Sequence, residues 1–244
     1  MRILRLAALA VASALVVRAW LRSSDGAARR RKMTDPITRR YFTGASNVHM
    51  DEEAEHLLPV PRGRVPWFVG AIDGSEIHVM LDREGNSFFF SIEHELLEQP
   101  MERVLWQDPD SGNLYLMWNQ LFELRATAQR HGLGTRSLAV ELHEVARFGV
   151  AVVGCQAAGP AGGRNGYYTW PLLGFDAKLS AEDAERLPED LAHCSTLNEL
   201  FMEDGGDEHW RQHGRAMDVY FDLQPDSTSW VILNSYMEER GITL

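Results

Sequence analysis

Leu124-Arg125-Ala126-Thr127-Ala128-Gln129-Arg130-His131-Gly132-Leu133-Gly134-Thr135 joins the end of a strand to the start of a helix through a glycine-hinged turn. Upstream, residues 113–124 are rich in aromatic and aliphatic side chains with partial two-residue alternation, which predicts a strand. Downstream the period changes. From Thr135 to Phe148, Leu138, Leu142 and Val145 recur at helical spacing, and the same wheel assigns Arg136, Glu141, Glu144 and Arg147 to solvent. The first N–H groups of a helix have no partner within it, and the helix dipole adds partial positive charge there. Gly132 and Gly134 remove side chains that would hold a phosphate off. The stretch reads as a cradle for a pyrophosphate, with an ordinary glycine-rich turn as the competing reading.

Gly149-Val150-Ala151-Val152-Val153-Gly154-Cys155 follows as a short apolar run of the kind buried in a sheet, completing a strand, turn, helix, strand unit. Then comes Asn165-Gly166-Tyr167-Tyr168-Thr169-Trp170-Pro171-Leu172-Leu173-Gly174-Phe175, a capped aromatic helical turn ending in Gly-Phe. On these residues the chain resembles the GNAT superfamily of acyl-CoA N-acyltransferases. There a strand is followed by [Q/R]-x-x-G-x-[G/A] at a helix start, which Gln129-Arg130-His131-Gly132-Leu133-Gly134 fits in full, and then by Asn, a Tyr-bearing helix and Gly-Phe. The matching core runs from about Asn113 to Phe175.

The resemblance implies a single α/β domain with a mixed, mostly antiparallel sheet flanked by helices. It implies an acyl-CoA co-substrate, most simply acetyl-CoA, with no metal, and transfer of the acyl group to an unidentified amine on a small molecule or protein. Backbone amides from Gln129 through Arg130, His131, Gly132, Leu133 and Gly134 to Thr135 would hold the CoA pyrophosphate. Leu124 and Ala126 would offer backbone groups to the pantetheine arm, and Asn165 with Tyr167 and Tyr168 would lie near the thioester.

The departures are specific. The position four residues before the Gly of Gly-Phe, where the family often carries its acidic tyrosine, is Trp170, and Tyr168 is the nearest substitute. Pro171 shortens the helix. No helix pair comparable to the family's acceptor-pocket helices is evident before Asn113. Instead residues 76–81 and 87–92 read as a hairpin. Transfer needs a base for the amine and a donor for the developing charge. Glu123 is the candidate base and Tyr168 the candidate acid, while His131 in the turn suits contact with phosphate or solvent. A non-catalytic CoA-binding or protein-interaction module on the same fold is the rival reading, and a purely structural turn is the third.

Elsewhere, His209 and His213 share a helix face but lack the third ligand and spacing of a zinc site. Cys155 and Cys194 provide no disulfide framework, which suits a reducing compartment. Eight of the 24 basic residues but one of the 35 acidic residues fall in 1–32, so residues 33–244 carry net −18 and should repel nucleic acid. Residues 1–32 read as a basic apolar leader, either a weak signal or anchor or a misassigned start before Met33. Residues 33–62 read as a polar arm, and residues 63–244 as the domain. A CoA donor points to the cytoplasm, with tethering through residues 4–21 as the alternative. After Phe175 the expected elements are a helix from Leu179 to Leu191 with Ser180 as N-cap, a strand from Ala216 to Leu223, and a helix from Ser229 to Arg240 stopped by Gly241.

Overall fold

A computed structural model describes residues 34–82, 86–108, 111, 113–160 and 165–244; the leader reading falls outside them. Along the chain it runs α1 (Pro36–Tyr41), β1 (Asn47–Met50), α2 (Glu52–Leu57), a 3-10 turn (Arg62–Arg64), α3 (Val65–Phe68), β2 (Glu76–Asp82), β3 (Ser87–Glu93), β4 (Met101–Gln107) and β5 (Leu114–Leu121). It continues through α4 (Leu133–Arg147), β6 (Val152–Ala157), α5 (Gly166–Leu172), α6 (Ala181–Glu185), a second 3-10 turn (Glu189–Leu191), α7 (Leu197–Met202), α8 (Gly206–His213), β7 (Met217–Asp222) and α9 (Thr228–Glu239). The strands form one seven-stranded sheet in sequence order. β1–β2 and β5–β6 are parallel and the other four pairs antiparallel. The fold is thus the mixed, mostly antiparallel α/β sheet that the resemblance implies.

The alternation of each strand separates two faces. Ile77, Val79, Phe88, Phe90, Leu105, Met117, Val153, Val219 and Phe221 point inward and are buried against α3, α4, α5 and α9. Leu138, Leu142 and Val145 of α4 are the expected helical stripe and are buried, each contributing roughly 1.5–3 kcal/mol. Phe68 packs on Phe90 and on Phe148, and Trp230 packs edge-on against Phe221, so α3 and α9 lie on the same side as α4.

Several expectations are corrected. The polar arm of residues 33–62 is structured: α1 is N-capped by Asp35, β1 pairs with β2, and Ala54 of α2 is buried. A short helix pair, α2 and α3, does lie between the first two strands. It escapes a periodicity search because the two helices have six and four residues. On α4 the solvent assignment of Arg136, Glu141 and Glu144 is reversed. All three are buried because each meets an opposite charge: Asp35, Arg103 and Arg64 respectively. The helix expected from Leu179 to Leu191 is only α6 plus a 3-10 turn, divided before Pro188, whose ring cannot continue a helix. Ser180 caps α6 in a capping box with Asp183, and Gly241 follows α9 at φ +62°.

Candidate functional site

β5 and β6 hydrogen-bond as parallel strands only as far as Asn119 and Cys155, although β5 continues to Leu121 and β6 to Ala157. The strands part there. Beyond the parting, the β5 chain pairs on its other edge with residues 96–98: Glu98 N–H donates to the Glu123 carbonyl at 2.9 Å and Arg125 N–H to the Leu96 carbonyl at 2.9 Å. The peptide groups of Leu124 therefore point toward the gap. Its carbonyl accepts from the Gln129 side chain at 2.7 Å.

The chain then turns into α4 through two left-handed residues, Arg130 at φ +65° and Gly132 at φ +69°. A non-glycine residue in that region is uncommon, and such strain gathers where geometry is tightly specified. Gly132 is the N-cap and offers no side-chain cap. Among the described residues the N–H groups of Leu133, Gly134 and Thr135 find no acceptor, so the head of this 15-residue helix presents three free donors. A Cβ on Gly134 would make only ordinary contacts, 3.7 Å from Leu124 and 3.8 Å from Phe122. Gly132 has a different reason to be glycine, since a Cβ there would run into the Arg136 guanidinium.

That guanidinium holds the turn from beneath. Arg136 Nη1 donates to the Gly132 carbonyl at 3.0 Å, and Nε donates to the Asp35 carboxylate and the Thr38 hydroxyl, each at 3.1 Å. Asp35 also accepts from Thr243 N–H at 3.0 Å. Burial opposes ionisation of Asp35, but the hydrogen bonds from Thr243, Thr38 and Arg136 outweigh it and lower its pKa to about 2.

Under the parting lies a buried polar cluster. Arg103 and Glu141 are both fully buried, with Arg103 Nε 3.1 Å from a Glu141 carboxylate oxygen. Arg103 Nη1 also donates to the carbonyls of Glu102 and Leu121. Burial raises the Glu141 carboxyl to about 7, against the pull of Arg103 and of the neighbouring Asn119 amide. Asn119 is near enough to bias that carboxyl, yet both its amide atoms and Glu141 Oε1 lack a hydrogen-bond partner of normal geometry. Burial likewise raises the Cys155 thiol well above its ordinary value, as befits an inert core residue.

The other candidate residues are more dispersed. Glu123 is half-buried beside the turn, its carboxylate 3.4 Å from the Gln99 side-chain amide. Tyr168 faces α7 and α8: its ring lies 5.9 Å from Phe201, its hydroxyl donates to Asp207 at 3.1 Å, and it accepts from Arg211 at 3.0 Å. Burial and Asp207 raise its pKa, keeping the phenol protonated. No described contact joins Tyr168 to Glu123. Asn165 is exposed and its side chain does not cap α5. Gln129, Arg130 and His131 are exposed, and Leu133 is buried beneath the turn with Phe42, Ile72 and Ala128.

The Gly-Phe signature has a packing role. Gly174 stands at φ +89°, where a Cβ would collide with the Ser229 carbonyl, and Phe175 is wholly buried against Phe221. Pro171 cannot bond the Tyr167 carbonyl one turn back, and Trp210 Nε1 does so instead at 2.9 Å.

Two open clefts lie away from α4. One of about 690 Å³ is lined by His49, Met50, Arg62, His78, Met80 and Glu93 among others. Another of about 570 Å³ lies beside the outer edge of β7, where Asp176 bridges to Tyr220, and is also lined by Asn198. No group of three or more His, Cys, Asp or Glu among the described residues is arranged to hold a metal ion, and none of the described helices is long and apolar enough to cross a membrane.

No family model matches the chain, and no curated protein does. Among solved structures it is similar to an N-acetylglutamate synthase from Neisseria gonorrhoeae complexed with coenzyme A and N-acetyl-glutamate, at 15% identity and a TM-score of 0.28. The match covers 72% of this chain and 34% of that one, so the chain spans about a third of that protein's length.

Proposed function

We propose that the head of α4 and the gap between β5 and β6 bind an acyl-CoA, and that the domain is an N-acyltransferase using acetyl-CoA or another acyl-CoA. The observation that carries this reading is the trio of free N–H groups at Leu133, Gly134 and Thr135, beside the point where two parallel strands separate. The pyrophosphate lies against those donors and the helix dipole. The pantetheine arm follows the β5 side of the gap, its amide carbonyls accepting from Leu124 and Ala126 N–H groups.

At the thioester the acceptor nitrogen attacks the carbonyl carbon; the C–N bond forms as the C–S bond breaks. The amine proton passes to Glu123, and the departing thiolate takes the Tyr168 proton. The acceptor is a primary amine of a small molecule or protein in the same aqueous compartment as the donor, which suggests the cytoplasm.

Calorimetric titration of the full chain with acetyl-CoA and CoA tests the donor site, with Gly134→Glu as control. Binding on the order of micromolar, lost in the control, supports it. Absence of binding at roughly millimolar ligand overturns it. A non-catalytic CoA-binding module is the second reading, favoured by the ties of Tyr168 to Asp207 and Arg211. It predicts tight binding with no thioester loss across a panel of amines.

A further inference from the structure

Every arginine among the described residues has a carboxylate ion-pair partner except Arg39, Arg40, Arg125 and Arg130. Residues 33–244 carry net −18, so carboxylates are plentiful, and cations left without one mark a place where negative charge of another origin is expected. All four lie around the head of α4. Arg125 and Arg130 belong to the turn itself. Arg39 and Arg40 stand in the last turn of α1, which packs against it: Ile37 and Tyr41 lie on the cluster of Phe42, Ala128 and Leu133 beneath the turn. One guanidinium joins the two elements, Arg136 donating to the Thr38 hydroxyl at 3.1 Å and to the Gly132 carbonyl at 3.0 Å. Arg39, Arg40 and Arg130 are exposed.

The charges around the turn are sorted by side. Arg125 Nε donates to the Leu97 carbonyl at 3.0 Å, which ties it to the β5 flank, where Glu98 N–H meets the Glu123 carbonyl. On the α1 flank the carboxylates are already engaged. Asp35 accepts from Thr38, Arg136 and Thr243, and Asp73 accepts from the N–H groups of Thr43, Gly44 and Ala45. Arg40 lies over the Tyr41 ring at 5.1 Å, while the guanidinium groups of Arg39 and Arg130 make no hydrogen bond or ion pair among the described residues.

Given the acyl-CoA reading of the α4 head, on which this rests, we propose that Arg39, Arg40 and Arg130 form a subsite for the 3′-phosphate of CoA, and that α1 makes the domain discriminate CoA from the same nucleotide without that group. With its pyrophosphate against the N–H groups of Leu133, Gly134 and Thr135, CoA has one further anionic centre. That centre is a phosphate monoester on the ribose, with a charge of about −1.5 to −2 at neutral pH. Arginine suits it, because the guanidinium stays charged and meets two phosphate oxygens at once. α1 lies outside residues 113–175, the span that resembles the acyltransferases, so the subsite is this chain's own addition to the donor site. Exposed charges are screened by salt, so the discrimination fades as ionic strength rises.

Calorimetry of the full chain with CoA and with dephospho-CoA, which lacks only the 3′-phosphate, tests the subsite. Wild type is expected to bind CoA at least about tenfold more tightly, with a ratio that shrinks as salt is raised from about 0.05 M to about 0.2 M. In the double variant Arg39→Gln with Arg40→Gln, CoA affinity should fall to that of dephospho-CoA, whose own affinity stays unchanged. Arg130→Gln should narrow the ratio part of the way. Unchanged dephospho-CoA binding separates a phosphate contact from a merely structural role for α1, which would weaken both ligands alike. Equal affinity for the two nucleotides in wild type overturns the subsite and leaves the donor site standing. A ratio that survives the double substitution overturns it, as does a double variant that loses both ligands together. Wild type that binds neither ligand overturns the donor site and the subsite with it.

Discussion

Between pH 4.5 and about pH 8 the folded protein should lose stability through Glu141. Its carboxyl ionises at 4.5 in an ordinary setting and at about 7 when folded. A folded-state pKa above the unfolded one gives stability that is full below 4.5 and lost as pH rises through about 7, because the unfolded chain releases its proton first. The difference corresponds to about 3 kcal/mol at most, which in a domain of this size lowers the melting temperature by roughly 6–12 °C. Asp35 and Asp183, both lowered to about 2, act in the opposite sense and in a separate window: their stabilisation is full above about 3.8 and lost on acidification. Urea denaturation at a series of pH values reads the slope directly. Glu141→Gln keeps an acceptor for Arg103 while removing the titration, so its stability should be nearly flat between pH 5 and 8, whatever its offset from wild type. A wild-type curve that rises across this interval, or a glutamine variant that keeps the decline, would refute the buried, titrating carboxyl under the strand gap.

Asp35→Ala removes the acceptor shared by Arg136, Thr38 and Thr243 and leaves a buried guanidinium with one fewer partner; a loss of about 2–4 kcal/mol is expected by chemical denaturation. Gly174→Ala should cost more than about 2 kcal/mol, since it combines φ +89° with a collision at the Ser229 carbonyl, and thermal unfolding checks it. Glu123→Gln should reduce thioester turnover by about 10²-fold or more at unchanged acetyl-CoA affinity, read by thiol release and calorimetry on one sample. Tyr168→Phe should slow turnover similarly in the catalytic reading; unchanged turnover would confine the phenol to its contacts with Asp207 and Arg211.

Local periodicity made much of the architecture legible. The β2–β3 hairpin, β5, β6, α4 and α9 each repeat a pattern within their own length, and the turn at Gly132 announces itself through glycine. β4 did not, because Arg103 interrupts its apolar face and becomes a core residue only when Glu141, 38 positions later, lies against it. Arg136 and Glu144 misled for the same reason: a helical wheel registers charge but not the distant partner that lets charge be buried. Gly132 was legible as a hinge, while its steric cause, the guanidinium of Arg136, was not. Gly174 and Phe175 marked the right place in the fold, where they serve packing against α9. The gap between β5 and β6 leaves no trace in sequence, since it exists only as the register at which pairing stops.

The Asp35 carboxylate ties together residues 208 positions apart and, through Arg136, the backbone of the turn at the head of α4. The tension in that knot is shared. A pull on the chain before Pro36, or a displacement of the segment 242–244, loosens the support of the three free donors without touching them. A change in the backbone beside Asp35 or Thr243 thus acts on the cradle mechanically, from two points that lie outside it.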